Sequence, residues 1–307
     1  MKDLDSATHL SKTAKQELLL TDTARIARIR HPRWIKYDIA DEVLELLTDL
    51  LNYPPKHRMP NILLYGDTNN GKTMIVNQFL RKYPTYNNPS GDRIIVPVLI
   101  IQAPEVPDEG RFYNAILEAL LVPFRHSDRP DKKRYQVLTV LKQIGIRMLI
   151  IDEIQDILDG RPATQQLFLN AMKHLANDLM IPIVGVGTRE ALTVIVSDPQ
   201  LRNRFEPILL PRWIIGDQTD PRNPYLRLLA NFEKSIPLWE PSGLTKEEMA
   251  LELLRMSEGL IGELVEILTR AAVLAVKTKK EKITIDLLKQ IRWSAPSERK
   301  ATEQAIS

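Results

Sequence analysis

The octapeptide Gly66-Asp67-Thr68-Asn69-Asn70-Gly71-Lys72-Thr73 follows directly on the apolar run Asn61-Ile62-Leu63-Leu64-Tyr65 and precedes a helical pattern from Met74 to Leu80. It fits G-x-x-x-x-G-K-[ST] in the strand–loop–helix setting that the motif requires. Gly66 and Gly71 let the backbone curl until its N–H groups, with the N-terminus of the following helix, surround phosphate oxygens. Lys72 is placed to reach the β- and γ-phosphate oxygens, and the Thr73 hydroxyl to hold Mg²⁺. Asp67, Thr68, Asn69, Asn70 and Met74 complete the cradle. The segment predicts a nucleoside triphosphate site, with ATP and Mg²⁺ as its ligands.

The rest of the chain supplies the fold such a loop needs. Apolar positions from Ile39 to Leu51 recur at helical spacing and stop before Pro54-Pro55. Strands are expected at Ile94–Ile101, Met148–Ile151, Ile183–Thr188 and Ile208–Leu210. Pro97 places the first of these at a sheet edge, because proline cannot donate to a ladder. Amphipathic helices over Phe112–Leu121, Val137–Ile144 and Leu167–Leu179 alternate with them, which predicts an α/β fold whose parallel sheet is covered by helices on both faces. Beyond Arg212-Trp213 strand signals vanish. Thr245-Lys246-Glu247-Glu248 reads as a capping box, Gly259 and Gly262 punctuate a turn, Leu264–Lys277 is helical, and Thr284 caps a last helix. The expected organisation is a polar, basic, loosely held extension over 1–30, an α/β domain over 31–215, an all-helical lid over 216–295 and a tail over 296–307.

Composition excludes some chemistry. The chain has no cysteine, so disulfides and thiolate metal sites are ruled out. The N-terminus lacks a signal-like apolar core and no apolar run approaches about 18 residues, so no membrane partner and a cytoplasmic location are expected. The net charge of +3 is unevenly spread. Residues 1–36 hold eight lysines and arginines against four carboxylates, and Arg125–Arg134 holds five against two. Such clusters suit a polyanion, and they equally describe a solvated loop.

A second set of residues completes the nucleotide chemistry. Met148–Ile151 delivers Asp152 and Glu153 at a strand's C-terminal end, where ligands sit in open parallel sheets. Asp152 would bind the Mg²⁺ shell opposite Thr73, and Glu153 would polarise the attacking water, which favours hydrolysis over a kinase reaction. Thr188, ending the next strand, can bond the γ-phosphate or lytic water, or cap the helix that follows. In a ring-forming ATPase, Arg204 directly before Phe205, with Arg202 as second choice, would face a neighbouring subunit's γ-phosphate. Trp34 and Tyr37 are placed to pack the adenine or to be ordinary core.

The phosphate loop, Asp152-Glu153, Thr188, the Arg204-Phe205 element and the helical lid occur in the order of the AAA+ ATPases. Within them, Val184–Leu192, Arg204-Phe205 and Glu258-Gly259-Leu260-Ile261-Gly262-Glu263-Leu264 resemble the TniB/TnsC branch, over roughly residues 30–295. The resemblance implies an ATP-dependent regulator that assembles as a ring or filament on double-stranded DNA and recruits a DDE transposase, with a TniQ-like targeting adaptor as a further partner. It makes Arg125, Arg129, Lys132, Lys133 and Arg134 candidates for a sequence-tolerant grip on DNA phosphates. It also shows a departure: where an arginine often points back at the γ-phosphate, Gly259–Leu264 offers Glu263, which shifts weight to Arg204. Two rival readings stand beside it: a replication-initiator or helicase-loader ATPase, and a nucleotide-gated scaffold in which slow hydrolysis is only a timer.

Overall fold

The computed structural model describes residues 4, 7–89, 91, 93–217, 220 and 222–306. Lys2, Asp3 and Asp5 of the N-terminal charge count, and Ser307 of the tail, lie outside the described residues. The chain divides into two compact units. A sheet unit comprises Glu42–Thr68 and Lys72–Pro211, and a helical unit comprises Met1–Asp41, Asn69–Gly71 and Arg212–Ser307.

The described strands are β1 (Asn61–Gly66), β2 (Tyr86–Asn87), β3 (Ile94–Ile95), β4 (Val98–Gln102), β5 (Met148–Asp152), β6 (Ile183–Gly187) and β7 (Phe205–Leu210). Five of them form a parallel sheet in the order β4-β5-β6-β1-β7. The run Ile94–Ile101, expected as one strand, is broken at Pro97: β3 pairs antiparallel with β2, while β4 takes the sheet edge. The Pro97 carbonyl accepts from Arg147 N and Met148 N at 2.9 and 3.1 Å, so the proline serves the sheet as an acceptor only. The opposite edge, β7, is longer than expected and tolerates Pro207 for the same reason.

Central strands read as continuous apolar runs because both faces are covered. Leu63, Leu64, Ile150, Ile151, Val184 and Val186 are fully buried. The helices Glu109–Ala119 and Pro162–Leu179 bring Phe112 and Phe168 together at 4.9 Å over this surface. Truncating either ring to alanine costs about 3–5 kcal/mol.

In the helical unit, residues 7–30 depart from expectation. Ser11 and Thr21 cap the helices Lys12–Glu17 and Asp22–Arg30 by accepting from Ala14 N and Ala24 N. Ala7, Leu10, Ala14 and Leu18 form a small buried cluster. Arg25, 2% exposed, grips Glu281 through two bonds of 2.8 and 2.6 Å. The segment is held, not loose, and its anchor lies 256 residues away in sequence, where no local pattern announces it.

The later helices are Pro224–Ser235, Glu247–Ser257, Ile261–Lys277, Ile285–Gln290 and Pro296–Ile306. Thr284 caps as expected, accepting from Leu287 N at 3.3 Å. The capping box does not form: Lys246 occupies the cap position of Glu247–Ser257 without a side-chain bond. Gly259 does turn the chain, at φ +73°, whereas Gly262 lies inside the first turn of the following helix. The expected tail is largely the helix Pro296–Ile306. No helix among the described residues is long and apolar enough to cross a membrane.

Candidate nucleotide site

β1 ends at Gly66 and the next helix, Lys72–Lys82, opens on the motif lysine. Between them Asn69 and Gly71 take positive φ values of 60° and 85°, the second unstrained only for glycine. Lys72 is buried, and its Nζ donates to the carbonyls of Gly66 (3.0 Å) and Asp67 (2.8 Å). Burial pulls its ammonium below the usual lysine range, and the charges of Glu153, Asp152 and Asp67 oppose that shift. Thr68, Thr73 and Met74 are exposed, and Asn70 is buried.

Thr73 Oγ1 stands 3.4 Å from Asp152 Oδ2. Burial holds the Asp152 carboxyl above the usual range, and the neighbouring Glu153 charge adds to this. One hydroxyl and one carboxylate are the hard-oxygen pair that Mg²⁺ accepts from a protein when phosphates and waters fill its remaining positions. Among the described residues no group of three or more His, Cys, Asp or Glu could hold a metal alone. The donors fit a nucleotide-borne Mg²⁺.

Glu153 follows in left-handed backbone, φ 51° and ψ 43°, a conformation costly for a residue with a side chain and found at functional sites. Gln155, from the short helix Ile154–Asp159, donates Nε2 to Glu153 Oε2 at 2.6 Å and accepts from Thr188 N on its Oε1 at 3.0 Å. Gly187 makes room for it: a Cβ there would collide with Gln155 Oε1. The Thr188 hydroxyl donates to Glu190 instead of capping, and the helix starts later, at Ala191. Arg189 Nε donates to Asp67 Oδ1 in the phosphate loop at 2.8 Å. Neither Gln155 nor Arg189 stood out in the sequence.

The loop residues Asn69–Gly71 belong to the helical unit. Asn69 O accepts from Gly262 N at 3.0 Å, an approach that any side chain at Gly262 would block. Asn69 Nδ2 donates to Glu263 Oε1 (2.9 Å), whose other oxygen pairs with Arg299 at 2.5 Å. An arginine absent from Gly259–Leu264 is thus brought to Glu263 by the C-terminal helix. Tyr37 lies near Gly71, stacked with Trp34 at 6.2 Å and edge-on to Trp213 at 5.4 Å. Tyr37 is buried, which raises its hydroxyl pKa, while Trp34 is half-buried.

The profile of the family described as bacterial TniB protein matches residues 25–215. The chain belongs to the TniB family. No curated protein matches it. In fold, this TniB-family chain is similar to the ORC2 protein of Aeropyrum pernix in its ADPNP-ADP complexes, at 16% identity and a TM-score of 0.59, over 86% of this chain and 70% of that one. It is similar to Cdc6p of Pyrobaculum aerophilum at 17% identity and a TM-score of 0.57, over 86% and 68%. It also resembles the Aeropyrum pernix ORC1 protein in complex with DNA, at 17% identity and a TM-score of 0.54, over 86% and 68%. The fold is that of the AAA+ ATPases.

Other sequence-predicted residues of this TniB-family chain lie elsewhere. Arg204 precedes β7, and its carbonyl accepts from Asn61 N at the start of β1. The phosphate loop leaves the far end of β1, five residues on from Asn61, which is roughly 17 Å at the rise of a strand. Arg204 therefore cannot reach a nucleotide in its own loop. Its guanidinium, lowered in pKa by burial and by Arg58, donates to Asn177 Oδ1 at 3.1 Å. Arg202 is exposed.

The basic cluster is not one loop. Pro130–Gln143 is helical, with proline at its first turn and Arg129 at the cap position. Lys133, only 4% exposed, donates to His126 O at 3.0 Å, so it cannot meet a DNA phosphate. Arg134 pairs with Asp178 at 2.6 Å and Lys132 with Asp128 at 2.8 Å. Arg125 and Arg129 are exposed.

Proposed function

We propose that this chain binds ATP with Mg²⁺, hydrolyses it slowly, and uses the bound state to assemble with copies of itself on double-stranded DNA, as an ATP-dependent regulator of transposition that recruits a DDE transposase and has a TniQ-like targeting adaptor as a further partner. The observation that carries the reading is the placement of catalytic groups at opposite ends of one sheet. Lys72, Thr73, Asp152, Glu153 and Thr188 gather at the C-terminal strand ends, and Arg204 stands at the N-terminal ends. A site built this way is completed only by a second copy.

In that reading Lys72 exchanges its two loop carbonyls for β- and γ-phosphate oxygens. Thr73 and Asp152 hold Mg²⁺, which when bound neutralises charge on the phosphates. Glu153 orients a water for attack on the γ-phosphorus and accepts its proton as the bond to the ADP oxygen breaks. Thr188, held through Gln155, lies one strand away to bond the phosphate or the water. Arg204 of a neighbour offsets the charge of the transition state, a role worth about 10³–10⁵ in rate in related chemistry. Trp34 and Tyr37 pack the base. Membership in the TniB family supports the transposition role, and the likeness to an ORC1 protein captured with DNA supports the DNA partner.

The test is turnover in mixtures. Arg204→Ala and Lys72→Ala should each be nearly inactive alone, the first with ATP affinity intact. Mixed, they should recover activity, because Lys72→Ala subunits present Arg204 to the intact sites of Arg204→Ala subunits. Absence of recovery would sink the shared site. Absence of ATP-dependent DNA binding by the wild type would sink the transposition role and favour the second reading, a replication-initiator or helicase-loader ATPase, which the ORC-type fold supports.

A further inference from the structure

At the N-terminal end of the sheet, the parallel pairing of β1 with β7 sets two segments side by side: the loop Lys56–Pro60 that enters β1 and the turn Gln200–Arg204 that enters β7. Between them lies a cavity of about 360 Å³ lined by Lys56, Arg58, Met59, Pro60, Gln200, Asn203 and Arg204. Three of these carry positive charge, and no carboxylate lines the cavity. Among the described residues none of the three forms an ion pair. Lys56 Nζ donates to Tyr53 OH at 3.1 Å, and Arg204 to Asn177. Asp198, the acid whose charge acts on Arg204, is committed: it pairs with Lys173 at 2.6 Å and accepts from Gln200 N and Leu201 N.

Three like charges around one cavity repel one another, and the cost is felt at Arg204, whose pKa is lowered by burial and by Arg58. Lys56 and Arg58 are exposed loop residues outside the buried core. An anion with several oxygens would relieve the repulsion and use all three donors, and guanidinium pairs suit phosphate geometry.

We infer that this cavity is a phosphate-binding pocket in which Lys56 and Arg58 act with Arg204. The inference rests on the shared-site reading above for its occupant, the γ-phosphate of a nucleotide held by a second copy. A phosphate of a DNA backbone has the same chemistry and is the other source. With the nucleotide as source, Arg204 is not a lone finger but the deepest of three charges, and the loop before β1 is part of the surface that one copy offers the next.

The experiment uses the full chain with Lys56→Gln and Arg58→Gln combined, which keeps side-chain length and removes the charge. ATP affinity in dilute protein should match the wild type, as should the melting temperature. Turnover at concentrations where copies associate should fall about tenfold or more, and adding Lys72→Ala subunits, whose pocket is intact, should restore it. DNA affinity measured with a non-hydrolysable ATP analogue separates the sources. If turnover holds but the slope of log K against log salt flattens by about 1, DNA occupies the pocket, since each phosphate neutralised contributes roughly −0.9. Unchanged turnover together with an unchanged salt slope overturns the pocket. Wild-type protein without ATP turnover would instead overturn the shared-site reading, and the salt slope would still decide the pocket.

Discussion

Gln155 and Glu153 share a hydrogen bond of 2.6 Å, and the same Gln155 amide accepts from Thr188 N at 3.0 Å. One side chain thereby ties the Glu153 carboxylate to the neighbouring strand end. Replacing Gln155 with alanine frees Glu153 to swing and leaves the Thr188 N–H without that acceptor. Turnover should drop by about tenfold, a barrier change near 1.4 kcal/mol, with nucleotide affinity unchanged. A rise in turnover would show that the amide restrains Glu153 instead of positioning it.

Lys72→Ala and Glu153→Gln should separate binding from chemistry. The first removes the cationic side chain of the phosphate loop, so ATP affinity by calorimetry should fall at least about tenfold, equivalent to 1.4 kcal/mol, and assembly should fail. The second leaves the loop intact, so ATP should bind normally while product formation stops and assemblies persist. Wild-type turnover by Glu153→Gln would remove Glu153 from the chemistry.

The pH behaviour of Asp152 follows from its burial. Its pKa is raised in the folded chain, so the native state holds the proton more tightly than the unfolded chain does. Stability contributed at this site therefore falls as pH rises from the ordinary carboxylate value of about 4 through the raised one. Above that window Asp152→Asn should melt at or above the wild-type temperature without ligands, and the difference should close below about pH 4. The same variant should lose Mg²⁺-dependent tightening of ATP binding. A lower melting temperature at neutral pH would contradict the sign.

Within the basic cluster the structure divides the expected roles. Arg125→Gln with Arg129→Gln should weaken DNA binding alike for all sequences and flatten the salt slope by about 2, at roughly 0.9 per phosphate. Lys133→Ala should act on stability instead, because it deletes a buried donor to the His126 carbonyl, at about 1–3 kcal/mol. Thermal melts and salt titrations distinguish the two. An effect of Lys133→Ala on the salt slope at wild-type stability would return that residue to the DNA surface.

Contiguous features were the legible ones. The phosphate loop, Asp152-Glu153 and the order of strands each sit in a few adjacent residues whose period or spacing carries the physics. Even Pro97 announced a sheet edge, though not that it would divide the run into two strands. What stayed hidden depends on pairing across sequence. Gln155 is an ordinary polar residue until Gly187 leaves space for it, and Arg25 looks solvated until Glu281 arrives. The basic cluster misled for a related reason: charge counts do not reveal that a helix starting at Pro130 turns Lys133 inward.

The polarity of the sheet has a counting consequence. If each complete site needs the loop end of one copy and the Arg204 end of the next, an open string of n copies contains n − 1 working sites and a closed ring contains n. Activity per copy then rises with the length of the string and levels off, so turnover becomes a gauge of assembly size. The terminal copy at one end carries a nucleotide whose hydrolysis no neighbour's Arg204 assists. Such an end is long-lived, and it offers a fixed, nucleotide-loaded face to whatever protein is recruited there.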